Sequence, residues 1–161
     1  MKRISILLMM VLLSAAAFGQ TTPKPPKGVE VKYDKFKDTT TLWTRGLGRG
    51  SASMDIMVFV DGPSIAEDVE QFYLIFSVYG RCVGFCFNRD DLILLIDGER
   101  ETLKYTTPLT DTAAFIVPRD LLTRIANAKA VEYQIGRHEG KIGDDGQKRI
   151  RAILDYTKSR D

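Results

Sequence analysis

The chain has 161 residues, 44% of them apolar and 27% charged, with 23 Lys and Arg against 21 Asp and Glu for a formal charge of +2. That length suits one domain with a core of its own, and so small an excess of interspersed charge excludes the clustered basic face of a nucleic-acid binder. A single histidine, His138, excludes metal sites that need two, such as the His-Glu-x-x-His zinc helix.

The chain opens with Met1-Lys2-Arg3, an almost unbroken apolar run from Ile4 to Phe18, and Gly19-Gln20. Positive charge, a short apolar core and small residues at its end (Ser14 to Ala17, Gly19) form the three-part pattern of a secretory signal peptide. The pattern predicts a signal over residues 1–19, cleaved after Gly19. The run is shorter than the ~20 residues a spanning helix usually needs, although an uncleaved anchor is the alternative. No cysteine follows the run, which argues against a lipoprotein. Loss of Lys2 and Arg3 leaves 21 basic residues, against the 21 acidic ones. The expectation is a secreted or periplasmic protein with no membrane contact after cleavage and no nucleic-acid partner.

Residues 20–28 contain Pro23, Pro25 and Pro26, which lack a backbone donor and predict an extended linker. Residues 29–161 are expected to form one domain. Lys24, Lys27, Lys32, Lys35 and Lys37 lend its start a mild basic bias, read as a solvated linker and an edge strand. Val29, Val31 and Tyr33 alternate with polar residues as in a half-buried strand. Thr39 to Arg45 is rich in β-branched and aromatic residues, and Ala52 to Asp61 places Met54, Ile56, Val58 and Val60 on one face. Gln71 to Tyr79 and Arg81 to Asn88 are two further apolar runs. Leu92 to Ile96 has no polar face and predicts a central strand covered on both sides. Asp97-Gly98 then predicts a tight hairpin with Glu99 to Thr106 as the return strand.

The last third changes period. Leu121, Leu122, Ile125 and Ala126 follow Pro118 at helical spacing, and Ala130 to Ile135 reads as a strand. Asp144 and Gln147 have the spacing of a capping box ahead of a closing helix with Ile150, Ile153 and Leu154 on one face. The predicted class is α+β: mostly antiparallel sheets, sandwich-like, with about seven or eight strands and two helices in the C-terminal third.

Three segments, Val31 to Thr41, Leu95 to Arg100 and Ile125 to Glu132, resemble those of uncharacterised secreted bacterial proteins with β-rich domains. The resemblance implies a similar fold and brings no activity with it.

Candidate chemistry is sparse. Cys82 and Cys86 are the only cysteines, and an even count in an exported chain suggests a disulfide. On one straight strand they would lie about 13 Å apart at ~3.3 Å per residue, beyond the ~7 Å a disulfide tolerates between Cα atoms. Three readings stand: buried thiols on one strand face, a disulfide across a turn at Val83-Gly84-Phe85, or a redox pair, although the spacing is not Cys-x-x-Cys. His138, in Gly-Arg-His-Glu-Gly, reads as a polar turn residue; a Ser-His-Asp triad stays formally open, with no Gly-x-Ser-x-Gly elbow to mark it.

The glycine cluster from Gly46 to Ser51 lacks the lysine of a P-loop and reads as a flexible connection, with Arg45 and Arg49 as a possible anion contact. Asp90-Asp91 suits a polar bend and Asp144-Asp145 a helix start; neither has calcium-loop spacing. Trp43, Phe72, Tyr73, Phe76, Tyr79, Phe85 and Phe87 are dense for one sheet, and any that face outward would form a patch for a partner. The resulting expectation is a non-catalytic binding or structural module of the bacterial cell envelope. Its partner would be an envelope protein or glycan, with no cofactor or metal. The alternative is a small exported enzyme, an oxidoreductase using Cys82 and Cys86 or a hydrolase using His138.

Overall fold

The computed structural model of the chain describes residues 24–63, 69–78, 87, 89–109 and 112–158. Two antiparallel sheets and two helices account for most of them. In chain order the strands are β1 (Val29–Asp34), β2 (Thr39–Thr44), β3 (Gly48–Gly50), β4 (Ser53–Asp61), β5 (Gln71–Ser77), β6 (Leu92–Ile96), β7 (Glu99–Leu103), β8 (Thr107–Leu109) and β9 (Thr112–Pro118). Helix α1 (Arg119–Asn127), β10 (Val131–Ile135), β11 (His138–Ile142) and α2 (Asp144–Tyr156) follow. One sheet has six strands in the order β1-β2-β4-β5-β9-β8, the other five in the order β3-β11-β10-β6-β7. The fold is α+β and sandwich-like, with more strands than the seven or eight expected. The additional ones include β3 and β8, of three residues each, too short to show a period.

Strand alternation builds the core. On the six-stranded sheet Leu42, Met54, Ile56, Val58, Phe72, Leu74, Phe76, Phe115 and Val117 point inward and are buried. They face Leu92, Leu94, Ile96, Val131, Tyr133 and Ile135 of the five-stranded sheet within one hydrophobic cluster. The Phe76 and Tyr133 rings meet edge to face at 5.3 Å, which ties β5 to β10 across the interface. Helix α1 touches β9, α2 touches β1 and β11, and the helices pack on each other through Leu121, Leu122, Ile125, Ile150, Ile153 and Leu154.

Several local expectations need correction. The Asp97-Gly98 hairpin forms, with φ of 52° and 88° as a tight primed turn requires. The Asp97 carboxylate also accepts the backbone amides of Lys129 and Ala130 at 2.8 and 2.9 Å, fastening the hairpin to the segment after α1. Strand β6 is not covered on both sides. Its outer residues are Ile93, half-buried, and Leu95, 37% exposed, because no second layer lies over that face among the described residues. The expected capping box does not form: Gly143 is the N-cap of α2, without a side-chain cap. Gln147 is instead buried, and its amide donates to the carbonyls of Ile125 and Ala128 at 3.1 and 2.8 Å. It satisfies carbonyls that the end of α1 leaves open.

The glycine cluster is likewise ordered rather than a flexible connection. Gly48 to Gly50 form the edge strand β3, paired with β11. A Cβ on Gly48 would lie 2.9 Å from Tyr133 Cε1, one on Gly50 2.7 Å from Tyr133 Oη, and one on Gly140 would overlap the same ring. Glycine is needed at these positions because the Tyr133 ring lies across both strands, with its hydroxyl donating to the Ala52 carbonyl at 3.2 Å. A Cβ on Gly50 or Gly140 would also press on the facing backbone, the first on the Glu139 oxygen and the second 2.5 Å from the Arg49 oxygen.

Candidate functional site

The outer face of the six-stranded sheet carries an apolar row that the fold leaves without a covering layer of described elements. In β4 the inward residues are Met54, Ile56 and Val58, so Met57 and Phe59 point outward by alternation. The register then sets Glu30, Trp43, Met57, Tyr73 and Ile116 side by side in one row across β1, β2, β4, β5 and β9. Phe59 lies beside that row, 53% exposed, with its ring edge to face on Tyr73 at 5.6 Å. Trp43, Met57, Tyr73, Ile75 and Ile116 are half-buried. These apolar side chains screen each other from water without forming a core.

Charged groups rim the row. The Arg45 guanidinium lies over the Trp43 ring at 4.8 Å and pairs with Glu30 at 3.8 Å. The indole N–H of Trp43 is buried without an acceptor among the described residues, a donor whose desolvation goes uncompensated. Lys32 and Thr41 extend the polar margin beside Phe59. At β1 the Tyr33 hydroxyl donates to Asp38 at 2.7 Å, and that bond raises its pKa above the ordinary tyrosine value.

The aromatics singled out from the sequence divide between the two faces. Phe72, Phe76 and Phe87 are core, whereas Trp43 and Tyr73 face out. Tyr79 and Phe85 lie outside the described residues, as do Cys82, Cys86 and the signal segment. Phe59, the most exposed ring of the face, does not stand out in the sequence because the inward set of its strand, Met54, Ile56, Val58 and Val60, dominates the pattern. A strand apolar on both faces was the available signal.

His138 is not a turn residue. It begins β11, is 8% exposed, and packs its ring on Phe87 at 5.5 Å. Its Nδ1 lies 3.0 Å from the Ser51 hydroxyl, while Nε2 is buried without a partner among the described residues. A serine and a histidine are thus brought together from distant parts of the chain, with no carboxylate bonded to the imidazole among the described residues. Arg45 and Arg49 have different surroundings: Arg45 belongs to the Trp43 rim, and Arg49 lines a groove on the outer face of the other sheet. Asp91 pairs with Lys104 at 2.5 Å, and Asp145 with Lys148 at 3.8 Å. No helix among the described residues is long and apolar enough to cross a membrane, and none of their His, Cys, Asp and Glu side chains cluster in threes to hold a metal. No family model, curated protein or solved structure matches the chain.

Proposed function

We propose that the chain is an exported, non-catalytic binding module that engages a protein partner of the cell envelope through the outer face of its six-stranded sheet. The row Trp43, Met57, Tyr73 and Ile116, with Phe59 beside it, carries this reading. Aromatic residues, methionine and arginine are the types enriched at protein interfaces, where charge is kept to the rim. The face has that composition, with Arg45, Glu30 and Lys32 at its margin. Export rests on the basic, apolar and small-residue order of residues 1–19. An intact mass beginning at Gln20 in the exported fraction would support it, and a mass retaining Met1 would overturn it.

Trp43 is the sole tryptophan, so its fluorescence reports directly on the face. The test is capture of envelope proteins by the wild-type chain and by Phe59→Asp and Tyr73→Ala variants, followed by fluorescence titration with the captured partner. A partner lost by both variants, at unchanged melting temperature, and shifting the Trp43 emission supports the reading. Capture that ignores both substitutions, or a glycan that alone shifts the emission, overturns it.

A hydrolase reading has one observation in its favour, the Ser51–His138 contact at 3.0 Å. Among the described residues it lacks the third group that orients a catalytic imidazole. Ester hydrolysis abolished by Ser51→Ala would establish it, and activity equal in both proteins would remove it.

A further inference from the structure

The five-stranded sheet has an outer face of different chemistry. It forms an open groove of about 530 Å³. One cross-strand row runs Arg49, Lys141, Glu132, Leu95, Arg100, and the next runs Glu139, Gln134, Ile93, Thr102; Arg100 and Thr102, on β7, lie past the end of the groove. Arg49 and Lys141 are directly opposed across β3 and β11, a like-charge placement that destabilises a sheet unless something relieves it. Lys141 is relieved by Glu132 at 3.3 Å. The Arg49 side chain, unlike the backbone of its paired strand, has no ion pair or hydrogen bond among the described residues. Glu139 accepts from the Gln134 amide at 3.2 Å, yet no cation lies within ion-pair distance of it among those residues.

The lining of the groove therefore holds one cation and one anion without an ion pair, on diagonal positions of neighbouring strands, with the apolar pair Ile93 and Leu95 beyond Glu132 and Gln134 of β10. An acid alone would leave Glu139 facing it, and an amine alone would leave Arg49. The geometry points to a ligand with both charges and an apolar side chain: a short peptide with free ends. Its carboxylate lies on Arg49, whose planar fork suits two parallel hydrogen bonds, and beside Lys141. Its ammonium donates to Glu139, and its side chain covers Leu95 and Ile93. This site shares no residue with the aromatic face of the other sheet, so either can fail alone.

The test is an amide-resolved NMR titration of the full chain with leucyl-leucine, its N-acetyl form and its C-terminal amide. Shifts should cluster at Gly50, Lys141, Glu132 and Leu95, with each blocked form binding about tenfold or more weakly, as expected for one lost charge-assisted hydrogen bond. Arg49→Gln should erase the preference for the free carboxylate only, and Glu139→Gln the preference for the free ammonium only. Both residues are exposed, and the unaltered remainder of each spectrum verifies the fold. Equal binding of all three peptides, shifts elsewhere, or no shifts at millimolar peptide would overturn the site.

Discussion

The two sheets bury alike and expose unlike. Inward, both present rows of Leu, Ile, Val and aromatic rings that meet in one core. Outward, the six-stranded sheet shows Trp43, Met57, Phe59, Tyr73 and Ile116, whereas the five-stranded sheet shows Arg49, Glu132, Gln134, Glu139 and Lys141 around Ile93 and Leu95. Alternation constrains every second residue of a strand to the core and leaves its neighbours to other demands. Apolar residues at those free positions bury less of their surface than the inward rows do. On the six-stranded sheet they are the basis of the proposed partner surface.

The largest test sets one ring from each side of that sheet against the other. Phe76 is fully buried and touches both Phe115 and Tyr133, so Phe76→Ala should cost about 3–5 kcal/mol in urea unfolding. Phe59→Ala removes a ring that is 53% exposed with one aromatic contact, and should cost no more than about 1 kcal/mol. Equal costs would mean that the outer face is a second core, and the partner assignment would go with it.

A smaller effect probes how the two sheets are joined. An alanine methyl at Gly140 would overlap the Tyr133 ring, and overpacking of this kind typically costs about 1–3 kcal/mol. Gly140→Ala should lower stability in that range, and a second substitution, Tyr133→Leu, should make the added methyl less costly. The methyl would also lie 2.5 Å from the Arg49 carbonyl oxygen, so a cost that remains in the double variant reports that backbone contact, and full additivity would show that the carbonyl rather than the ring limits the position.

What the sequence made legible was local. Alternation marked β1 and β4, β-branched and aromatic content marked β2, the Asp97-Gly98 pair marked its hairpin, and the spacing of Leu121, Leu122 and Ile125 marked α1. The parts that escaped depend on partners far along the chain. Gly48 is glycine because of Tyr133, and Gly50 because of Tyr133 and the Glu139 carbonyl; Gln147 is buried because Ile125 and Ala128 end a helix that needs donors. His138 sits among polar neighbours in sequence, yet its ring packs on Phe87. The aromatic face was half legible: Trp43 and Tyr73 stood out as residues, but the row they form exists only once β4 lies between β2 and β5.

Tyr133 also gives the comparison a dependence on pH. Burial raises its pKa above the ordinary value, which is about 10 for tyrosine. The folded state thus holds the phenolic proton more tightly than the unfolded chain. Its contribution to stability is complete below about pH 10 and is lost as pH rises through the raised folded value. Unfolding midpoints should therefore fall in alkali, and Tyr133→Phe should flatten that fall while forfeiting the bond to the Ala52 carbonyl. The variant is then weaker than wild type at neutral pH and closer to it in strong alkali. Tyr33 hydrogen-bonds Asp38 at the exposed edge of the other sheet, so Tyr33→Phe serves as the comparison. If it flattens the alkaline fall as much as Tyr133→Phe does, the proton is held by surface charge rather than by the joint between the sheets.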